Sequence, residues 1–238
     1  MIPKAKPPLV VLTSTFPRWA SDPEPSFVLE LCKRLTRAFE VHALCPHAPG
    51  ASQEEVLEGV MVRRFRYAPE GLETLVQGGG ILNNLKHRPW KWMLLPLFFL
   101  GQAWATWRLI RLVGPACVHA HWIIPQGLVY VVVRPFLPNP PPFLLTSHGG
   151  DLFSLRGWLF ARIKRVIINR ATAMTLVSQA MVPEAIRLGA EPARVHVLPM
   201  GVDFEGLFTP GPAKARQPGE ILFVGRLVEK KGLRHLIE

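Results

Sequence analysis

The sequence is poor in cysteine. Its 238 residues include three, Cys32, Cys45 and Cys117, and none of them belongs to a Cys-x-x-Cys pair. An odd, scattered set of this kind argues against a disulfide framework and against a structural zinc site. The N-terminal apolar run Leu9 to Thr13 is also shorter than the roughly 7 to 15 residues of a signal-peptide core. We therefore expect a reduced protein located in the cytoplasm.

Acidic residues are also scarce. The chain has 17 Asp and Glu against 28 Lys and Arg, so its formal net charge is +11. Such an excess attracts phosphate groups, which nucleic acids, nucleotide diphosphates and anionic lipids all carry. The basic residues occur in pairs and triplets rather than in one long tail, and no nucleic-acid-binding module is visible. Nucleic acid is therefore not an expected partner.

A long uninterrupted apolar run is missing as well. Hydrophobic residues make up 49% of the chain, which excludes a disordered protein. The longest uncharged apolar stretch, Trp92 to Trp107, is shorter than the roughly 20 residues that span a bilayer. A buried packing helix is the favoured interpretation. Because Trp and basic residues are common from Trp90 to Arg111, a helix lying on an anionic membrane surface is the alternative.

Short apolar runs alternate with amphipathic segments, which indicates a doubly wound α/β fold with a parallel sheet. The predicted strands are Leu9 to Thr13, Val41 to Leu44, Val60 to Arg66, Ala116 to Ala120, Phe143 to Ser147, Ala173 to Val177, Val195 to Leu198 and Glu220 to Val224. The predicted helices are Ser26 to Ala38, Leu97 to Val113, Gly127 to Arg134, Ser154 to Asn169, Gln179 to Leu188 and the start of one at Lys231 to Glu238. In such folds ligands bind beyond the carboxyl ends of the strands.

The predicted domains are unequal. Residues 1–208 form a first Rossmann-like domain, residues 209–219, rich in Pro and Gly, form a linker, and residues 220–238 begin a second domain. One strand and part of a helix cannot bury a core. We therefore expect the chain to be a fragment of a longer protein.

The loop after the first strand, Thr13 to Ser26, contains no glycine. A dinucleotide cofactor is therefore not expected, because its fingerprint is Gly-x-Gly-x-x-Gly. The loop leads into a helix N-terminus, where unpaired N–H groups favour anions. An anion site and a plain connection remain the two alternatives.

Histidines follow two later strands. Strand alternation places His119 and His121 on one face, and with no third ligand nearby His121 is expected to contact a ligand rather than a metal. In His148-Gly149-Gly150-Asp151 the glycines allow close backbone approach to a ligand, and His148 can donate to a phosphate or a hydroxyl. Alternatively, Asp151 caps the next helix and His148 is a turn residue.

Five blocks together resemble the family-4 retaining glycosyltransferases of GT-B fold. They are LTSTFPR at Leu12 to Arg18, HAHW at His119 to Trp122, HGGD at His148 to Asp151, VHVLPMGVD at Val195 to Asp203, and GRLVEKKG at Gly225 to Gly232. The resemblance implies two Rossmann-like domains with the active site between them. The first domain favours the acceptor and the second favours a nucleotide-sugar donor, with neither metal nor cofactor.

The resemblance also assigns roles to residues. His148 and Asp151 would be catalytic residues, with His148 reaching the donor sugar and Asp151 fixing its loop. Gly225, Arg226 and Lys231 would bind the donor diphosphate. The acceptor or loop contacts would be Pro17, Arg18, His121, Gly149 and Gly150.

Two features depart from the family pattern. The first loop has Pro23 and Pro25 where the family usually has glycine, and the chain ends before the family's E-x7-E block. The sequence thus predicts a glycosyltransferase fragment that is inactive alone and acts on a sugar, a lipid-linked acceptor or a polysaccharide precursor. Its location would be cytoplasmic or the cytoplasmic face of the inner membrane. A noncatalytic module that binds a partner or an anionic membrane surface is the alternative.

Overall fold

The computed structural model describes residues 5–20, 22, 24–206, 209, 219–225 and 231–238. They belong to two compact units, Met1–Gly201 and Val202–Glu238. The first unit contains the sheet and seven of the eight helices described below.

The first unit is built on one eight-stranded sheet with the order β3-β4-β2-β1-β5-β6-β7-β8. Every neighbouring pair is parallel except β3 and β4. The predicted parallel α/β fold is confirmed. The strands are β1 Pro8–Leu12, β2 Glu40–Pro46, β3 Glu54–Leu57, β4 Val60–Phe65, β5 Cys117–His121, β6 Phe143–Ser147, β7 Ala173–Leu176 and β8 Val195–Val197.

The helices are α1 Phe27–Leu35, α2 Ile81–His87, α3 Leu94–Val113, α4 Leu128–Val133, α5 Gly150–Phe153, α6 Trp158–Arg170, α7 Val182–Arg187 and α8 Arg234–Ile237. Strand side chains alternate between two apolar clusters, because successive residues of a strand point to opposite faces. Val10 and Leu12 of β1 join the cluster that α3, α4, α6 and α7 cover. Leu9 and Val11 join the cluster that α1 covers. Helices therefore pack on both faces of the sheet.

Several elements of the first unit differ from the sequence prediction, among them the short helix α5, which was not predicted. Strand β3 was missed; it pairs antiparallel with β4 through a tight turn in which Glu58 and Gly59 have φ of 50° and 81°. Helix α2 was also missed. The predicted helix Ser154 to Asn169 was placed too early, because Gly157 at φ 106° precedes the first turn of α6.

The long helix α3 packs on the sheet with one face and leaves the other open. Its buried residues are Leu94, Phe98, Gln102, Thr106, Leu109 and Ile110. Among the described residues, the helical segment Pro89–Val113 is long and apolar enough to cross a membrane by length and composition alone, and 33% of its most apolar window is buried. Helix α3 is thus a partly covered packing helix of the α/β unit.

The second unit is described only in part. Helix α8 carries an ion pair of 2.7 Å between Arg234 Nε and Glu238 Oε1. The predicted strand Glu220 to Val224 is wrong, since residues 219–225 form no strand in the structure. The predicted linker at 209–219 lies almost wholly outside the described residues and stays a prediction.

Candidate functional site

The candidate site lies where the sheet changes direction of winding. Strand β1 pairs with β2 on one side and with β5 on the other, so chain connections run outward from this point. In open parallel sheets a crevice forms at such a switch point, beyond the carboxyl ends of the strands. The loops that follow β1, β5 and β6 meet there, and each carries one of the predicted motifs.

Three histidines stack at this edge of the sheet. The ring centroids of His119 and His121 lie 4.2 Å apart, and those of His121 and His148 lie 5.2 Å apart with an interplanar angle of 17°. The prediction that His119 and His121 share one face is confirmed. In the part of the chain that the structure describes, no group of three His, Cys, Asp or Glu side chains is placed to hold a metal.

Burial makes these histidines neutral. Desolvation lowers the pKa of His148 to about 4 and that of His119 to about 3, in the second case helped by the neighbouring His148. Desolvation also lowers the pKa of His121 well below its ordinary value, with further contributions from His119 and His148. At neutral pH each ring therefore carries one proton and can both donate and accept a hydrogen bond.

A shared hydrogen bond couples His121 to His148. His121 Nδ1 and His148 Nε2 are 2.9 Å apart, and in neutral rings only one of these two atoms carries the proton. The tautomer of His121 therefore fixes the tautomer of His148. It thereby decides whether His148 Nδ1 donates or accepts a hydrogen bond. His121 itself is fully buried, and its Nε2 has no hydrogen-bond partner. The predicted direct contact between His121 and a ligand does not fit this burial.

Asp151 ties two loops together rather than capping a helix. Its carboxylate accepts hydrogen bonds from Ile123 N at 2.7 Å, Ser147 Oγ at 2.9 Å and His148 N at 3.1 Å. The predicted helix cap is corrected, since Asp151 lies inside α5 and its acceptors are used by the loops after β5 and β6. These hydrogen bonds join the loops after β5 and β6, and a catalytic role for Asp151 stays a prediction. Burial raises the pKa of Asp151, and these donors oppose the shift.

Gly149 gives the HGGD loop its turn. Its φ is 88°, a left-handed conformation that glycine adopts without strain. Gly150 then starts α5 and is exposed, with open space where a Cβ would stand.

The C-terminal end of α5 is held by Lys164, whose buried Nζ donates to Leu152 O at 2.7 Å and Ser154 O at 2.5 Å. Sequence reasoning missed this contact and counted Lys164 only among the basic residues that occur in pairs and triplets.

Two aromatic side chains flank His148. Its ring centroid lies 4.7 Å from that of Trp122 and 5.1 Å from that of Phe27. Trp122 follows β5 with φ of 76°, and its backbone N–H donates to Thr146 O. Phe27 is the first residue of α1 and was predicted only as part of an apolar helix face. Together the two rings shield His148 from water on two sides.

The loop after β1 is held by contacts within the loop and by Arg64 of β4. Pro17 is buried, and its carbonyl accepts from Arg64 Nη2 at 2.8 Å. Arg18 binds both carboxylate oxygens of Asp22, at 2.8 Å and 2.6 Å, and this hydrogen bonding lowers the pKa of Asp22 to about 2. Arg18 also stacks on Trp19 at 4.4 Å. The Pro17 carbonyl and the Arg18 guanidinium thus have hydrogen-bond partners within the chain, and their contact with an acceptor stays a prediction.

Two further buried side chains connect the loops. Arg64 also pairs with Glu55 at 2.6 Å, so it is part of the fold rather than a surface charge. Gln126, with its amide oriented to satisfy both groups, donates to His121 O at 3.0 Å and accepts from Ser14 N at 3.1 Å. The glutamine thus links the loop after β1 to the end of β5.

The predicted donor-binding residues belong to the second unit. Gly225 and Lys231 are exposed there. Arg226 lies outside the described residues. Their contact with a diphosphate stays a prediction.

Comparison with known proteins gives one family and a shared fold. The sequence pattern described as Glycosyltransferase Family 4 matches residues 26–205. No curated protein sequence matches the chain.

Two solved structures share the fold. A sucrose-phosphate synthase structure from Thermosynechococcus elongatus has a TM-score of 0.57 and 14% identity, covering 82% of this chain and 90% of that one. A structure described as trehalose-6-phosphate from E. coli bound with UDP-2-fluoro glucose has a TM-score of 0.52 and 9% identity. That match covers 82% of this chain and 49% of the other, so this chain spans about half of its length.

Proposed function

The chain belongs to Glycosyltransferase Family 4, and on that premise we propose that it is the acceptor-side domain of a retaining enzyme. The enzyme transfers a sugar from a nucleotide-sugar donor to an acceptor, which is a lipid-linked sugar or a polysaccharide precursor. The observation that carries this proposal is the placement of His148. It stands at the switch point of the sheet, half-buried between two aromatic rings, with its Nε2 held by His121.

His148 acts by hydrogen bonding rather than by charge. Its depressed pKa keeps it neutral at pH 7, so it orients a hydroxyl of the donor sugar without adding a positive charge beside the sugar ring. Among the described residues its ring has one hydrogen-bond partner, His121, at Nε2. The Nδ1 atom is the one left for a substrate.

Asp151 is a positioning residue in this proposal. Its carboxylate accepts from the backbone N–H groups of both His148 and Ile123, and so fixes the loops after β5 and β6 relative to each other. Gly149 and Gly150 bring the backbone beside the donor because no Cβ intervenes. A fixed loop costs little reorganisation when the substrate binds, which is how preorganised sites favour the transition state.

The leaving diphosphate is stabilised by Arg226 and Lys231 of the second unit. A guanidinium binds phosphate oxygens in a bidentate manner, and an ammonium adds a point charge. As negative charge develops on the diphosphate, these cations lower the barrier to departure. The UDP-2-fluoro glucose in the E. coli relative supports a nucleotide sugar as the class of donor.

The test is sugar transfer by the product of the complete reading frame that includes this chain, assayed with a panel of nucleotide sugars. We expect His148→Ala to lower kcat by about 10² or more, because a hydrogen bond made to the reacting sugar is lost. The control is His196→Gln, since His196 is exposed on β8, away from the switch point. Turnover that stays at the wild-type level in His148→Ala would refute this role for the histidine.

A noncatalytic module that binds a membrane or a partner is the second candidate. The open apolar and basic face of α3 favours it, independently of the histidines. This candidate would be favoured over the enzyme if no nucleotide sugar in the panel supported sugar transfer while the protein still bound vesicles.

A further inference from the structure

Helix α3 carries an exposed stripe that is apolar in its first part and basic in its last. Residues spaced three or four apart lie on one face of a helix. Met93, at the start of this face, is 77% exposed, and Leu97, Leu100 and Trp104 follow at 48%, 68% and 63%. Arg108 and Arg111 continue the same face and are exposed. We call these six residues the α3 stripe.

Neighbouring segments widen the stripe. Trp90 and Trp92 precede α3 and are 47% and 59% exposed. Beside its C-terminal half, Phe136 is 72% exposed, and its carbonyl accepts a hydrogen bond from Trp107 Nε1 at 3.3 Å, which places the two residues side by side. Contiguous exposed apolar patches rimmed by polar residues mark interaction sites on proteins.

The charge around the stripe has one sign. No Asp or Glu occurs between Glu73 and Asp151, whereas this part of the chain has six Lys or Arg residues. Lys91 is buried and its Nζ donates to Thr74 O and Asn84 Oδ1, so this ammonium group does not contribute to the exposed positive charge. Lys86 and Arg88 are exposed ahead of the stripe, as Arg108 and Arg111 are at its end. The patch therefore complements a negatively charged surface.

We propose that the α3 stripe lies on the surface of an anionic lipid bilayer, with Leu97, Leu100 and Trp104 in the headgroup and acyl boundary. The basic ends then meet lipid phosphates, and the tryptophans lie at the depth that amphipathic rings prefer. Helix α3 does not cross the bilayer, because its opposite face packs on the sheet through Phe98, Gln102 and Thr106. The proposal is independent of the proposed catalytic function.

The first test is co-sedimentation of the purified chain with vesicles of phosphatidylcholine alone or with 30% phosphatidylglycerol. A basic residue near such a surface contributes about 1 kcal/mol, so Arg108→Gln with Arg111→Gln should weaken anionic binding about 30-fold. The matched control is Arg162→Gln with Arg170→Gln, which removes the same charge from exposed positions of α6. Raising the salt should weaken wild-type binding, and equal binding to both vesicle types would overturn the proposal.

The second test separates the apolar contribution. Leu100→Gln keeps helix propensity and removes one exposed apolar side chain, and we expect at least about 10-fold weaker vesicle binding. Trp158→Gln is the control, since Trp158 is 78% exposed on α6. Tryptophan fluorescence should shift to the blue with anionic vesicles in the wild type and the control. A lipid-free dimer in light scattering that dissociates in Leu100→Gln would overturn the proposal, because a second copy would then cover the stripe.

Discussion

The histidine stack should make the fold sensitive to acid, and the size of the effect follows from the lowered pKa values. In the unfolded chain a histidine titrates near its ordinary value of about 6.5. In the folded protein His148 titrates at about 4 and His119 at about 3. Below pH 6.5 the unfolded chain therefore binds protons that the folded protein does not, and the free energy of unfolding falls as the pH falls.

Each such histidine costs about 1.4 kcal/mol of stability for every pH unit below 6.5, until its folded-state pKa is reached. At pH 5, which is about 1.5 units lower, the loss is about 2 kcal/mol for His148 and about the same for His119. Two histidines then remove about 4 kcal/mol from a domain whose total stability is of the order of 5 to 15 kcal/mol.

The assay is urea unfolding followed by circular dichroism at pH 5, 6 and 7.5, in the wild type and in His119→Gln. Glutamine can keep the hydrogen bond that His119 Nε2 shares with Thr146 Oγ1 at 2.7 Å, but it does not titrate. We expect the stability difference between pH 7.5 and pH 5 to be about 2 kcal/mol smaller in the variant. The control is His196→Gln, which replaces an exposed histidine of β8. An identical pH dependence in the wild type and in His119→Gln would refute the reasoning.

The parallel sheet was predictable because its strands are short apolar runs buried on both faces. Phe143–Ser147 is a strand with the predicted bounds, and the alternation of β5 placed His119 and His121 on one face. Strand β3 escaped notice because Glu54 and Glu55 make it an unusual strand sequence, which is stabilised by pairing with β4 rather than by propensity.

The depth of a side chain was harder to predict than its face. Alternation shows which side of the sheet His121 occupies, but not that His148, 27 residues later, covers it. The sequence showed Arg64 and Lys164 only as members of basic pairs and triplets, because each donates to a backbone carbonyl, 47 and 12 residues away. Such partners leave no side-chain pattern, so a buried, satisfied cation looks like a solvated one.

Three further predictions concern the site and the donor. Asp151→Asn places an amide N–H among three buried donors and should lower the free energy of unfolding by about 2 to 3 kcal/mol, measured by urea unfolding with the exposed Glu54→Gln as control. In the product of the complete reading frame, Arg226→Ala and Lys231→Ala should each lower kcat by about 10² or more, because charge stabilisation of the leaving diphosphate is lost; wild-type kinetics in both would show that neither binds it. The purified 238-residue chain should not transfer sugar from any nucleotide sugar, because the family's E-x7-E block is absent from its sequence. Product formation is measured with a panel of radiolabelled donors. Vesicles that carry a lipid-linked acceptor are included, so that the lack of a membrane surface cannot explain inactivity. Transfer above the level seen with His148→Ala under these conditions would mean that residues 1–238 already provide a complete donor site.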